Sequence, residues 1–203
     1  PVLMGVLIGG LWQVLVSVGI HGIITVLAFA DVLAGNSSPL LALSYSASFA
    51  VSGVAFAVFM RSRNSGEKQT AKAGAVSAIM GATEPAMYAL IKPDKKRFAL
   101  CCAGGALGGA TAGFFGISMH AYAGMGITGL FGFFQTGDVK LVGVLLMAVL
   151  PFGFTWLIEM LLYRQEKAVE SEEIIVMPVN GSVEQLENAE DTVFASKALG
   201  DGV

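Results

Sequence analysis

Charge is what this chain has least of. Only 13% of its 203 residues are Asp, Glu, Lys or Arg, about half the share found in soluble domains. The scarcity is also local: residues 1–60 contain only Asp31, and residues 98–137 and 141–158 contain no charged residue. Histidine and cysteine are equally sparse, two of each. Cys101 and Cys102 are adjacent, with no other cysteine and no metal-ligand spacing around them, which excludes a disulfide framework and leaves them as small packing residues. What is abundant is apolar: 55% of the residues, with a mean hydropathy of +0.71. Uncharged runs of this length match the roughly 20 residues a helix needs to cross ~30 Å of hydrocarbon. The composition predicts an all-α polytopic membrane protein made of spanning helices and a re-entrant hairpin, with a short β-prone tail. The chain starts at Pro1 with no positively charged leader, and reads as a piece of a longer protein.

The charges that exist mark the organisation. Residues 1–20 predict a first spanning helix that ends at His21, and residues 22–34, with Asp31, are too short to span and suggest a re-entrant or bent helix. A full-length helix is expected over Pro39–Met60, leading into a basic loop with Arg61, Arg63, Lys68 and Lys72. A second basic cluster, Lys92, Lys95, Lys96 and Arg97, precedes a span over Phe98–Met119, and a last span covers Leu141–Tyr163, with Arg164 and Lys167 at its exit. Short Lys/Arg-rich loops stay cytoplasmic. The roughly 20 residues between the two clusters cannot cross and return, so they predict a helical hairpin turning near Gly81–Pro85. The segment Tyr122–Gln135 has too many glycines for a lone helix and reads as an external loop or half-helix.

Gly105, Gly109 and Gly113 recur every four residues in the third span, beside a parallel row of Gly104 and Gly108. Such rows let helices approach closely. The run GGALGG is not a nucleotide loop, because it lacks a preceding strand and a lysine or acidic partner in register. Past Tyr163, residues 164–173 read as a charged linker. Residues 174–203 open with the β-prone run Ile174-Ile175-Val176-Met177-Pro178-Val179 and the turn signal Asn180-Gly181.

Ionisable groups in membrane segments mark substrate or ion pathways. Glu84 is the strongest candidate here: it lies at the hairpin turn, and Pro85, which lacks an N–H and disfavours an α conformation in the residue before it, is expected to open the backbone at Glu84. Its carboxylate can accept from two sugar hydroxyls, and Thr83 adds a donor and acceptor. An ion pair with a basic residue elsewhere in the bundle is the structural alternative. His21 can donate and accept at once. Asp31 could bind a coupling cation. Glu159, near Arg164, and His120, at the expected end of the third span, read as interfacial.

The segment Gly81-Ala82-Thr83-Glu84-Pro85-Ala86-Met87-Tyr88 resembles the G-I-T-E-P-A-(I/M)-Y motif of the membrane-embedded IIC domain in bacterial phosphotransferase-system sugar permeases of the glucose/β-glucoside superfamily. Lys92-Pro93-Asp94-Lys95-Lys96-Arg97-Phe98, the glycine-rich span and Gly19-Ile20-His21 are similar to its β-glucoside branch. Residues 174–203, with Asp191-Thr-Val-Phe-Ala195 and Leu199-Gly-Asp-Gly202, are similar to the start of a glucose-type IIA domain. The resemblance implies IIC over residues 1–163 and a truncated IIA-like start over 174–203. It implies sugar translocation coupled to phosphorylation, with the phosphoryl group passing from a IIA histidine to a IIB cysteine and then to the sugar, and Glu84, Thr83 and His21 contacting the sugar. Implied partners are a β-glucoside or related disaccharide, a IIB domain, the phosphocarrier protein acting through IIA, the lipid bilayer and a second copy of the chain, in a bacterial cytoplasmic membrane. No cofactor, metal or nucleic acid is implied. The enzyme class is a protein-phosphohistidine–sugar phosphotransferase, and the chain, lacking the IIB cysteine and the IIA histidine, is expected to be inactive alone. Ala82 stands where the family has isoleucine, and Gly22 where the branch commonly has tryptophan after the histidine. The alternatives are a cation-coupled carrier using Asp31 and Glu84, and a membrane sugar sensor.

Overall fold

The computed structural model describes residues 1–134 and 141–163. The chain divides into two units, residues 1–167 and 168–203; the expected linker and IIA-like start lie outside the described residues, as do Gln135, Arg164 and Lys167. The described residues form an all-α membrane protein without a strand: α1 (Val2–Val18), α2 (His21–Leu33), α3 (Pro39–Tyr45), α4 (Ala47–Arg61), α5 (Ser65–Ile79), α6 (Glu84–Ala86), a π-helix (Met87–Ile91), α7 (Lys95–Phe115), a 3₁₀-helix (Ile127–Phe133) and α8 (Leu141–Leu162). Three stretches, Pro39–Arg61, Lys95–Phe115 and Leu141–Leu162, are long and apolar enough to cross a membrane. Their outward residues are apolar, as hydrocarbon demands; Phe114 and Leu161 are among the most exposed. The stretch ending at Arg61 is central: Ala50, Val51, Val54 and Val58 of α4 are wholly buried.

Several boundaries differ from the sequence expectation for local reasons. α1 stops at Val18 because Gly19 takes a left-handed conformation (φ 85°), so it is 17 residues long and His21 begins α2 instead of ending α1. The expected helix over Pro39–Met60 is present as one long span from Pro39 to Arg61, with a single-residue break at Ser46, next to which the Ser44 and Ser48 hydroxyls donate to the carbonyls of Leu41 and Tyr45 three residues back, a contact that competes with the helical ladder. The basic segment after Arg61 is a loop only as far as Asn64. The Asn64 side chain then accepts from the N–H groups of Gly66 and Glu67 and caps α5, so Lys68 and Lys72 are helical. The third span starts at Lys95, capped by Asp94, and ends at Gly116 (φ 59°), before Met119. Met119 instead pairs with Ser38 in an isolated antiparallel bridge. Within Tyr122–Gln135 a short 3₁₀-helix forms, close to the expected half-helix.

The two glycine rows of α7 face different partners. A Cβ on Gly105 or Gly109 would overlap the backbone carbonyl of Gly9 or Gly5, and one on Gly113 would sit 2.7 Å from the Pro1 carbonyl oxygen. This row therefore sets α1 directly on α7, backbone against backbone. The row of Gly104 and Gly108 opens toward α4 and α8, against Ala50, Ser46, Thr155 and Pro151. Thr155 ties the same junction by donating to the Ala50 carbonyl at 2.9 Å.

Helix α5 has 15 residues, about 22 Å at 1.5 Å per residue, less than the ~30 Å hydrocarbon thickness. It then turns at residues 80–83, and the two ends of the hairpin meet again: Arg97 Nη2 lies 3.2 Å from Glu67 Oε1. Arg97 Nε also donates to Glu159 at 2.9 Å, and the Ser62 and Tyr163 hydroxyls donate to Glu67 at 2.6 and 2.8 Å. The ends of α4 and α8 and the starts of α5 and α7 thus share one end of the bundle. Glu159, at this same end, is buried and paired with Arg97.

Gly109→Val is expected to push α1 off α7 and destabilise the protein by about 1–3 kcal/mol, the cost of overpacking. The check is its melting temperature in detergent, with Phe114→Val on the exposed face as control. Glu67 supplies a pH dependence. Burial raises its carboxyl pKa, but the hydrogen bonds from Ser62 and Tyr163 and the charge of Arg97 outweigh that and hold it below the ordinary range. A carboxylate with a depressed folded pKa adds stability above its unfolded pKa, and the contribution is lost as pH falls through the folded value. Glu67→Gln should therefore flatten the acid side of the stability profile while leaving the alkaline side parallel to that of the unsubstituted protein.

Candidate functional site

The tip of the hairpin is built by its short-range chemistry. Gly81 holds φ at 106°, a conformation open to glycine but strained for other residues. Ser77 closes the turn twice: its hydroxyl donates to the Ala82 carbonyl at 2.6 Å, and its carbonyl accepts the Ala82 N–H at 2.9 Å. Thr83 is buried and its carbonyl accepts the Met87 N–H. Glu84 and Pro85 then open a new helix. The break in the backbone therefore precedes Glu84 instead of falling at it, because a proline in the first turn of a helix gives up an N–H that would be unpaired anyway. The tip rests on the loop before the 3₁₀-helix: a Cβ on Gly81 would overlap the Met125 carbonyl, and the Tyr45 hydroxyl donates to the Gly126 carbonyl beside it.

Between this tip and the corner joining α1 to α2 lies a cleft of about 310 Å³, lined among others by Trp12, His21, Gly22, Thr25, Ser48, Thr83, Glu84 and Tyr122. The three sequence candidates Glu84, Thr83 and His21 meet in it. His21 Nε2 stands 3.4 Å from Glu84 Oε1, with the side chains 26% and 48% exposed. Among the described residues no lysine or arginine pairs with Glu84, whose basic neighbour is the His21 imidazole. The edge of the imidazole turned to the cleft is Nε2; Nδ1 is buried and has no hydrogen-bond partner among the described residues. The Thr25 and Ser48 hydroxyls donate to the His21 and Tyr45 carbonyls and keep their lone pairs free. Trp12 meets His21 edge-on with ring centroids 6.3 Å apart, and Tyr122 packs on Phe29 at 5.1 Å. A compact set of acceptors and donors between aromatic walls, at the small end of ligand-pocket volumes, suits a polyhydroxylated ligand of modest size.

The other candidates lie elsewhere. Asp31 is exposed on α2 and does not line the cleft. His120 is in a loop, its N–H donating to the Gly132 carbonyl, and not at a helix end. Cys101 is buried against the Ala50 carbonyl and Cys102 is half-buried. Trp12, Ser48 and Tyr122 are not singled out by sequence reasoning. They come from three elements far apart in the chain, and no spacing links them.

Comparison with known proteins gives the chain relatives over most or all of its length. It is 32% identical over 100% of its residues to the β-glucoside-specific EIIBCA component of the phosphotransferase system from Halalkalibacterium halodurans, of which it covers 35%. The β-glucoside-specific EIIBCA component of Bacillus subtilis is 30% identical over 97% of the chain and 34% of its own length. The arbutin-, cellobiose- and salicin-specific EIIBC component of Escherichia coli is 28% identical over 81% of the chain. The chain spans about a third of the length of these curated relatives. No family model and no solved structure matches it.

Gly81→Ala should be poorly tolerated although it adds one methyl group. A non-glycine residue at this φ costs about 1–3 kcal/mol, and the methyl must also displace the Met125 backbone. The expected outcome is a lowered melting temperature together with increased reactivity of a cysteine placed at Met125; an unchanged melting temperature would show that the tip does not rest on that loop.

Proposed function

Since the chain belongs to the phosphotransferase-system sugar permeases of the glucose/β-glucoside superfamily, we propose that residues 1–163 are the IIC part of a bacterial cytoplasmic-membrane permease that carries a β-glucoside or related disaccharide inward for phosphorylation. The observation that carries this reading is the convergence of Glu84, Thr83 and His21 on one cleft. In it Glu84 accepts from two sugar hydroxyls, His21 offers its Nε2 edge beside Glu84, Thr83 lies next to them, and Trp12 and Tyr122 offer aromatic faces to the apolar side of the ring.

The chemistry follows from positioning. A sugar hydroxyl held toward the cytoplasmic face attacks the phosphorus of a phosphocysteine on IIB. The oxygen–phosphorus bond forms as the sulfur–phosphorus bond breaks, sulfur leaves as thiolate, and the hydroxyl proton passes to solvent. On this reading residues 164–173 link IIC to the start of a IIA domain over 174–203, which receives its phosphoryl group from the phosphocarrier protein, and the permease works as a homodimer. Support for the IIA assignment is the 100% coverage of the chain by a component whose name carries the letters B, C and A.

The test is phosphoenolpyruvate-dependent phosphorylation of salicin, arbutin, cellobiose and sucrose by membranes bearing the full-length permease that carries this chain, with the general phosphotransferase components. Glu84→Gln is expected to weaken binding of the sugar that is phosphorylated by about 5- to 150-fold, corresponding to ~1–3 kcal/mol for a buried polar group left without its hydrogen bond. Wild-type affinity in a correctly inserted Glu84→Gln protein would overturn the assignment of the site.

A further inference from the structure

After the Glu84–Pro85 turn the chain winds as a π-helix over Met87–Ile91, a widened turn found frequently at functional sites. Its exposed side carries Tyr88, and Lys92 follows at its end; neither lines the cleft. Both reach across to the C-terminal end of α1. The Tyr88 hydroxyl donates to the Val16 carbonyl at 3.3 Å and Lys92 Nζ to the Ser17 carbonyl at 3.1 Å, and the ammonium stands 5.0 Å from the centroid of the Tyr88 ring. Helix α1 has no basic residue in its own last turn. Its final carbonyls, where unpaired lone pairs and the negative end of the helix dipole coincide, are therefore met by a hydroxyl and a cation from a segment more than 70 residues away.

The geometry has a direct consequence for the cleft. Glu84, Tyr88 and Lys92 follow one another at four-residue intervals, and their contacts all fall on one corner: Glu84 on His21, Tyr88 on Val16, Lys92 on Ser17. Between Ser17 and His21 the chain turns through the left-handed Gly19. A Cβ at Gly19 or Gly22 would meet nothing within 4 Å, so side-chain packing does little to fix the corner there. We infer that Tyr88 and Lys92 are positioning residues: by holding the end of α1 they set the distance between His21 and Glu84, and through it the affinity for sugar. The inference rests on the reading of the cleft as the sugar site. It separates two roles within the motif, with Glu84 touching the ligand and the residues four and eight positions later holding the opposite wall.

The test uses the full-length permease with salicin, arbutin, cellobiose and sucrose as probes. Lys92→Gln and Tyr88→Phe should each raise KM roughly threefold to tenfold, the size of one hydrogen bond removed, with kcat little changed, and Lys92→Arg should restore the lower KM. In a His21→Ala background neither substitution should have a further effect, because both act through His21. An unchanged KM in Lys92→Gln and Tyr88→Phe, or the same fold increase with and without His21, would overturn the inference, since a purely structural cap has no reason to depend on that imidazole. If Lys92→Gln fails to insert, Tyr88→Phe, which removes only a hydroxyl, decides the matter. Failure of His21→Ala and Glu84→Gln themselves to alter KM would instead sink the sugar-site reading on which this one rests.

Discussion

The contact on which the arrangement depends is the backbone-to-backbone seating of α1 on α7. In lipid there is little hydrophobic gain from bringing two apolar helices together, and association relies on close packing. Gly105 and Gly109 on α7 meet Gly9 and Gly5 on α1 with no side chain between them. That seating fixes the axis of α1, and the axis decides where Trp12, Val16 and the Gly19 corner fall. One wall of the cleft is therefore positioned by glycines that do not themselves face a ligand. The second row, Gly104 and Gly108, does the same for α4 and α8, so one helix with two small-residue faces sets three neighbours at once.

The other wall is set from the opposite end of the bundle. A hairpin too short to cross the hydrocarbon needs an anchor at its open end, and Arg97 provides it by bridging Glu67 and Glu159. Buried charges are tolerated when each has a partner, and here the carboxylates of Glu67, Glu159 and Asp94 share one guanidinium while the Ser62 and Tyr163 hydroxyls complete the shell of Glu67. With α5 pinned at its start and the tip propped on the Met125–Gly126 backbone, the segment carrying Glu84 is held at both ends. The alternation of helix and tight glycine turn is thus how a carboxylate is placed inside the bundle without a spanning helix of its own.

Much of this is legible in the residues. The uncharged runs point to the long helices, the paired basic clusters to the hairpin, and the four-residue glycine spacing to a close helix contact. The site residues Glu84 and His21 stand out because an ionisable group in an apolar stretch is costly. The misreadings have a common physical origin. The single-residue break at Ser46 within the expected Pro39–Met60 span lies between serines whose hydroxyls bond to backbone, which hydropathy ignores. The early ends of α1 and α7 come from left-handed glycines in stretches rich in other glycines that stay helical. The partner of Glu159 is missed because Arg97 is 62 residues away in the sequence. Trp12 and Tyr122 escape sequence reasoning for the same reason: a wall assembled from distant elements leaves no periodic trace.

The contrast between the carboxylates explains why Glu84 and not another acid fits a ligand site. Glu159 is buried and satisfied by Arg97; Glu67 is satisfied by a guanidinium and two hydroxyls. Each is committed to holding helices together, and a ligand could reach either only by breaking a pair. Glu84 is about half exposed and faces only an imidazole at 3.4 Å, too far for a strong hydrogen bond. On the proposed reading of the cleft, the loose His21 contact leaves the carboxylate free to accept from sugar hydroxyls. The chain thus uses tightly paired carboxylates where the fold must be held and leaves a loosely paired one in the cleft proposed as the ligand site.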